Sequence, residues 1–156
     1  MRPTAHRSPL THPIYHTHIA VERSALHPRT VVVISVEVIV DCGGVLAAAI
    51  NAAILALMDA GVPLVHTPLA VDCCLLGDNG VCVLDPSTEE ESVAIAKCTL
   101  AFCSAAQDGD ANAGIAAMVV EGRVDNTQMD RLISACHSAM FPLQNFIRLS
   151  RTQPPS

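Results

Sequence analysis

The sequence predicts a single α+β domain rather than a doubly wound parallel sheet. Three features support this fold class: a β-branched run at Val31–Val40, an alanine-rich stretch at Val45–Ala60, and several short apolar runs at close spacing after it. Of the 156 residues, 51% are apolar, which is sufficient for a packed core. The expected order is therefore strand, helix, several antiparallel strands and a final helix.

The first element, Val31–Val40, is predicted to be a strand from its β-branched content alone. One set of alternate positions is entirely aliphatic, whereas the other set includes Ser35 and Glu37. One face should therefore belong to a core, and the other should border a cleft or a partner subunit. Gly43 and Gly44 then break the strand.

The alanine-rich stretch Val45–Ala60 is predicted to be a helix that packs closely on a sheet and ends at Gly61. Asn51 within it is expected to be a hydrogen-bonding packing residue. The Gly-Asp-Asn-Gly sequence at residues 77–80 predicts a turn, so the runs on either side of it should form an antiparallel hairpin. The strand candidates are Leu64–Leu76, Val81–Leu84, Val93–Cys103 and Gly114–Glu121.

The last element is predicted to be a helix that Thr127 caps. It has a stripe at the 3–4 spacing of a buried helix face, formed by Met129, Leu132, Ile133, Cys136 and Met140. Pro142 should kink this helix or end its regular part. The acidic run Glu89–Glu91 lies in a predicted loop between the strand candidates Val81–Leu84 and Val93–Cys103. We interpret this run as a solvated turn rather than a metal or partner site.

The N-terminal residues differ in composition from the rest of the chain, because prolines and histidines are interleaved there without a helical or strand period. We expect residues 1–21 to form a poorly ordered tail, residues 22–150 to form the domain, and residues 151–156 to form a second tail. The chain has a net charge of −6, and residues 1–29 carry four arginines against one glutamate. The remainder is therefore strongly acidic and should repel a phosphate backbone.

Seven cysteines occur without a Cys-x-x-Cys pair or regularly spaced histidines, so the sequence predicts no metal cluster. We expect reduced, buried thiols at the five cysteines in strand-like apolar runs, namely Cys73, Cys74, Cys82, Cys98 and Cys103. The longest apolar run outside the first strand has 14 residues, Val45–Met58, and Asn51 interrupts it. A membrane span needs about 20, so none is expected, and no secretory signal is recognised near the N-terminus.

Several blocks occur in the order found in ribonuclease PH-like proteins: Leu26–Thr30, Asp41–Gly44, Ala49–Ala53, Asp59–Pro63, and Leu84–Pro86 followed by Glu89 and Glu90. From about residue 22 to residue 150 the chain resembles that family, and within it the ring subunits of the eukaryotic RNA exosome. The resemblance implies a ribonuclease PH-like fold of the ribosomal protein S5 domain 2-like kind, here mainly the C-terminal half of the domain. A shortened gene model, an isoform and a lineage-specific reduction all remain open.

Active members of that family degrade RNA from its 3′ end by phosphorolysis, and they carry two acidic residues five positions apart, the second directly before the glycines. The matching positions here are Glu37 and Cys42, and a cysteine does not reproduce a carboxylate at neutral pH. Asp41 lies one residue out of place, and Leu46 aligns with a phosphate-binding basic residue. The resemblance therefore implies four vestigial positions, with no catalytic residue, metal or cofactor.

The function that the resemblance implies is a non-catalytic structural subunit of the exosome ring, which supports 3′-to-5′ processing and degradation of RNA, including ribosomal RNA. Its partners would be the other ring subunits, it would meet RNA only through the assembled complex, and it would reside in the nucleus, nucleolus and cytoplasm. Two alternatives stay open. One is a phosphate-dependent 3′-to-5′ exoribonuclease in which Glu37 and Asp41 hold a divalent cation, and the other is an unrelated small-molecule-binding α+β domain.

Overall fold

A computed structural model describes residues 32–64, 66–77, 80–103 and 114–152 of the chain. Its elements are α1 (Val45–Asp59), β1 (Pro68–Leu76), β2 (Val81–Leu84), α2 (Thr88–Ser92), β3 (Ala94–Cys103), β4 (Ile115–Gly122) and α3 (Asn126–Thr152). This content confirms the α+β prediction. The predicted tail at residues 1–21 lies outside the described residues.

The four strands form one antiparallel sheet in the order β2-β1-β3-β4. The predicted hairpin is confirmed, because β1 pairs with β2 from Cys73 opposite Leu84 to Leu76 opposite Val81. Strand β3 lies on the other side of β1 and places Cys98 opposite Cys73. Strand β4 pairs with β3 and lies at the end of the sheet order.

Helices α1 and α3 cover opposite faces of this sheet, because alternate side chains of a strand point to opposite faces. On one face, Leu132, Cys136 and Met140 of α3 pack against Cys73, Leu75, Ala96, Cys98, Leu100 and Phe102. On the other face, α1 packs Ala47 and Ile50 against Ala70 and Ala101. The buried stripe that was predicted for the last helix is therefore confirmed at Leu132, Cys136 and Met140, whereas Met129 and Ile133 are half-buried.

Asn51 joins α1 to β1 through both atoms of its side-chain amide. Its Nδ2 donates to the Ala70 carbonyl oxygen at 2.8 Å, and its Oδ1 accepts from the Ala70 N–H at 2.8 Å. The register of β2 reaches only from Cys73 to Leu76, so it does not extend to Ala70. The Asn51 amide therefore fills the place of a neighbouring peptide group, which confirms its predicted role in packing.

The prediction of a strand at Val31–Val40 is wrong for the described part of this segment, because residues 32–40 have no regular secondary structure. Some of the expected alternation remains, because Ile34 and Val36 are half-buried whereas Val33 is 80% exposed. A strand needs a neighbouring backbone to accept and donate its hydrogen bonds. The described sheet consists of β1 to β4 only, so this β-branched segment has no neighbouring strand in it.

The prediction that Thr127 caps the last helix is also wrong. Asp125 Oδ1 accepts from the Gln128 N–H at 2.7 Å, and Gln128 Oε1 accepts from the Asp125 N–H at 3.0 Å. This reciprocal pair is a capping box, and it places Thr127 inside the first turn. Pro142 does not end the helix, which continues to Thr152 with Ile147 buried beyond the proline.

Candidate functional site

A cleft of about 240 Å³ lies where the N-terminal end of α1 meets β1 and β3. Its lining combines acidic side chains, one lysine and one threonine with apolar groups. The lining residues that concern the chemistry are Asp41, Leu46, Asp72, Glu91, Lys97 and Thr99. Two of the four positions that the resemblance singled out, Asp41 and Leu46, therefore line this cleft.

Gly43 and Gly44 bring α1 into contact with the loop that precedes α2. Their φ angles are +102° and +63°, values that favour glycine. A Cβ atom built on Gly43 would lie 2.2 Å from the Pro86 carbonyl oxygen. Next to this contact, the Thr88 N–H donates to the Cys42 carbonyl oxygen at 3.1 Å. The two glycines thus allow a direct backbone contact at the cleft.

Two carboxylates occupy the N-terminal end of α1, where Gly44 has no side chain to cap the helix. The Gly44 N–H donates to Glu91 Oε1 at 2.8 Å, and the Ala47 N–H donates to Asp72 Oδ2 at 3.0 Å. Free N–H groups and the helix dipole make such a terminus favourable for anions. Here the chain's own anions take that place.

Glu91 also forms an ion pair with Lys97, whose Nζ lies 3.1 Å from Glu91 Oε2. Burial of Glu91 opposes its ionisation, but the bonds from the Gly44 N–H and from Lys97 lower its pKa below the ordinary value of 4.5. The same contact with Glu91 raises the pKa of Lys97. Both groups are therefore charged at neutral pH and are paired with each other.

Asp72 is the buried carboxylate of the cleft, with 9% of its surface exposed. Besides the bond from Ala47, it accepts a hydrogen bond from the Thr99 hydroxyl. Burial raises the pKa of Asp72 above 3.8, although these two bonds oppose the shift, and the charges of Glu91 and Asp85 raise it further. Folding therefore favours its protonated form relative to the unfolded chain.

This shift predicts a pH dependence of stability. The folded-state pKa of Asp72 is raised. The stability that Asp72 contributes to the folded protein is therefore fully present below the ordinary pKa of 3.8, and it is lost as the pH rises through the folded-state pKa. We expect the free energy of unfolding of the wild type, relative to Asp72→Asn, to fall as the pH rises above 3.8 and through the folded-state pKa of Asp72. Urea unfolding at a series of pH values measures this difference.

Glu91→Gln is the matched control for that measurement. The pKa of the wild-type Glu91 carboxylate is lowered. The stability that Glu91 contributes is therefore present above the ordinary pKa of 4.5, and it is lost as the pH falls through the folded-state pKa. The wild type should therefore gain stability relative to Glu91→Gln as the pH rises over the acidic range. A pH-independent difference between wild type and Asp72→Asn would contradict the raised pKa of Asp72.

The four positions that the sequence singled out are separated in the structure. Asp41 and Leu46 line the cleft, and Asp41 Oδ1 accepts from the Gly43 N–H at 3.2 Å. Cys42 is an exposed free cysteine, and Glu37 is exposed on residues 32–40, outside the lining of the cleft. The vestigial character of these four positions stays a prediction.

The interpretation of Glu89–Glu91 as a solvated turn needs correction, because these residues belong to α2. The Ser87 hydroxyl accepts from the Glu90 N–H at 3.4 Å, and Glu90 Oε2 accepts from the Ser87 N–H at 2.8 Å. This capping box begins the helix and presents Glu91 to α1. The Ser-x-x-Glu pattern at residues 87–90 is a sequence signal that predicts the start of α2.

Sequence reasoning missed Asp72, Glu91, Lys97 and Thr99 as residues of the cleft. Asp72 had a signal, since it is the one charged residue in the apolar stretch at residues 68–76. A charge in such a stretch is buried when a partner is available. Glu91 and Lys97 had no comparable signal, because their contact depends on the angle between α2 and β3.

In the described parts of the chain, no group of three or more histidine, cysteine, aspartate or glutamate side chains is arranged to hold a metal ion. Over the same ranges, none of the helices is both long enough and apolar enough to cross a membrane.

Comparison with known proteins assigns both parts of the chain to one family. Residues 2–63 match domain 1 of the 3′ exoribonuclease family, and residues 66–140 match domain 2 of the same family. Together these two matches span most of the chain.

Individual relatives agree with this match. The exosome complex exonuclease RRP46 homolog of Arabidopsis thaliana is 43% identical over 77 residues, which cover 49% of this chain and 32% of the relative. Human exosome complex component RRP41 is 31% identical over 114 residues, which cover 73% of this chain and 43% of the relative. The crystal structure of rice (Oryza sativa) Rrp46 superposes with a TM-score of 0.64 at 25% identity, covering 76% of this chain and 52% of that one. The chain thus spans about half the length of these relatives, or less.

Proposed function

Because the chain belongs to the 3′ exoribonuclease family, we propose that it is a non-catalytic structural subunit of an RNA exosome ring, of the ribosomal RNA-processing protein 46 type. Several relatives are named as exosome components, which supports the assembly. One observation carries the non-catalytic part of the proposal. The anion-binding end of α1 is filled by Asp72 and Glu91 from the same chain.

Phosphorolysis needs a positive site that holds phosphate close to the RNA. Three donors near the cleft are suited to an anion, the N–H groups of Gly44 and Ala47 and the ammonium group of Lys97, and each already contacts a carboxylate. Leu46 lines the cleft as an apolar side chain and offers no hydrogen bond to an oxyanion. The proposed role is therefore to support RNA processing through assembly rather than through chemistry.

The proposed partners are the other ring subunits, with RNA met through the assembled complex. Large apolar side chains are exposed on the described residues, among them Val33 at 80% and Ile39 at 90%. Exposed apolar groups of this size in one segment favour a protein partner that covers them. The proposed locations are the nucleus, nucleolus and cytoplasm, where microscopy of a fluorescent fusion would find the chain together with other ring subunits.

Affinity purification of the tagged full chain from its own cells tests the assembly. We expect the other ring subunits to be recovered in comparable amounts, and the same preparation with the tag alone is the control. Recovery of the intact chain without any ring subunit would overturn the proposed function.

A phosphate-dependent 3′-to-5′ exoribonuclease is the second candidate. Two observations favour testing it, since the Arabidopsis relative is named an exonuclease and Asp41 lines the cleft. Purified chain incubated with RNA, phosphate and magnesium is expected to release no nucleoside diphosphate, with an active relative as the positive control. Release that disappears both in Asp41→Asn and in Glu37→Gln would replace the structural role with this one.

A further inference from the structure

Four cysteines from four different elements meet on the face of the sheet that α3 covers. Cys73 lies on β1, Cys82 on β2, Cys98 on β3 and Cys136 on α3. Cys73 is 1% exposed and Cys136 is fully buried, while Cys98 is also buried and Cys82 is half-buried. The sulfur of Cys73 is at the centre of this group, because it interacts with the side chains of the other three.

The closest approach within this thiol group joins α3 to β1. The Cys136 thiol donates to Cys73 Sγ with 3.0 Å between the two sulfurs. The Cys73 thiol in turn donates to the Cys98 carbonyl oxygen at 3.4 Å. Over the described residues this group does not have the arrangement of a metal site. Cys73 and Cys136 are both free thiols in this structure.

We propose that Cys73 and Cys136 are a redox-responsive pair that forms a disulfide under oxidation and thereby fixes α3 to the sheet. A disulfide has an S–S length of about 2.05 Å, so the two sulfurs need to approach by about 1 Å. With a low-molecular-weight disulfide as oxidant, the two protein thiols give up two electrons and two protons. One protein S–S bond forms, the S–S bond of the oxidant breaks, and two small thiols are released.

Burial makes this pair selective rather than readily oxidised. The hydrogen bond with Cys136 is the main cause of the raised pKa of Cys73, so its thiol stays protonated while α3 is packed on the sheet. Exchange requires a thiolate and access for the oxidant. The reaction therefore begins when α3 opens locally, and the bond that forms prevents further opening.

The expected consequence is a more stable oxidised form. The bond joins residues that are 63 positions apart in sequence, and closure of a loop of this size restricts the unfolded chain substantially. We expect the Tm of the oxidised protein to lie roughly 10 °C above that of the reduced protein.

The test uses the full chain with Cys42→Ser, because Cys42 is exposed and would react with the oxidant by itself. Reduced protein is incubated with oxidised glutathione, unfolded under acid, and treated with a thiol-alkylating reagent before intact mass is measured. We expect two thiols to become protected, with peptide mapping showing a Cys73–Cys136 link. Melting of both forms then measures the rise in Tm.

Two further variants in the same background separate this pair from its neighbours. Cys136→Ala should abolish the protection, whereas Cys74→Ser is expected to keep it, since Cys74 is buried but lies outside the thiol group. Circular dichroism shows whether each variant is folded. A link between Cys73 and Cys98, undiminished protection in folded Cys136→Ala, or no protected thiols even in urea just below the unfolding transition would each overturn the proposal.

Discussion

Replacing Gly43 with alanine is expected to lower the free energy of unfolding by about 3–5 kcal/mol. The residue has a φ of +102°, and an added Cβ would lie 2.2 Å from the Pro86 carbonyl oxygen and 2.9 Å from the Ser87 carbonyl carbon. Backbone atoms cannot move away as a flexible side chain does, so the loop before α2 has to separate from α1. The hydrogen bond from Thr88 to Cys42 should be lost with it. Urea unfolding followed by circular dichroism measures the change.

Gly61→Ala is the matched control for Gly43→Ala. Gly61 also has a positive φ, at +69°, but a Cβ there would meet nothing within 4 Å. Its substitution should therefore cost only the conformational term, about 1 kcal/mol. If the two variants lost equal stability, the close approach between Gly43 and Pro86 would not be a feature of the folded protein.

Asn51→Ala is expected to lower the free energy of unfolding by about 2–4 kcal/mol. The substitution removes both hydrogen bonds between Asn51 and Ala70. The N–H and carbonyl groups of Ala70, which is 1% exposed, are then left without these partners. Alanine is a better helix former than asparagine, so helix propensity alone would predict a gain in stability. A loss therefore reports on the contact between α1 and β1.

Asn145→Ala provides the comparison for Asn51→Ala, because it makes the same substitution at an exposed position of α3. We expect its stability to stay within about 0.5 kcal/mol of the wild type. Hydrogen exchange adds a local measurement, since the Ala70 amide should lose protection in Asn51→Ala and keep it in Asn145→Ala. Equal protection of that amide in both variants would argue against the role of the Asn51 side chain.

Local sequence signals predicted most of the elements but not their partners. The Gly-Asp-Asn-Gly sequence and the apolar runs on either side of it were sufficient for the β1–β2 hairpin, because both the turn and the register are local properties. The segment Val31–Val40 shows the limit of this reasoning. Its β-branched composition indicates a strand, but formation of a strand depends on a second backbone, which composition does not contain.

The candidate site was predictable only in part, for the same reason. The glycine pair located the turn, and the resemblance pointed to Asp41 and Leu46, both of which line the cleft. The contacts of Asp72 and Glu91 with α1 join elements that are far apart in sequence, so no spacing rule reports them. The prediction of the residue that caps α3 was wrong because Asp125 and Thr127 are both good capping residues. The hydrogen bonds between Asp125 and Gln128 make Asp125 the cap.

The carboxylates at the start of α1 also determine how the cleft responds to solutes. Glu91 and Asp72 are tethered ligands, so their effective concentration at the helix terminus exceeds that of any dissolved anion. A phosphate ion that displaced Glu91 would have to break its bond to Gly44 and its ion pair with Lys97, and the displaced carboxylate would remain nearby to repel it. The terminus should therefore stay occupied whatever the phosphate concentration of the cell.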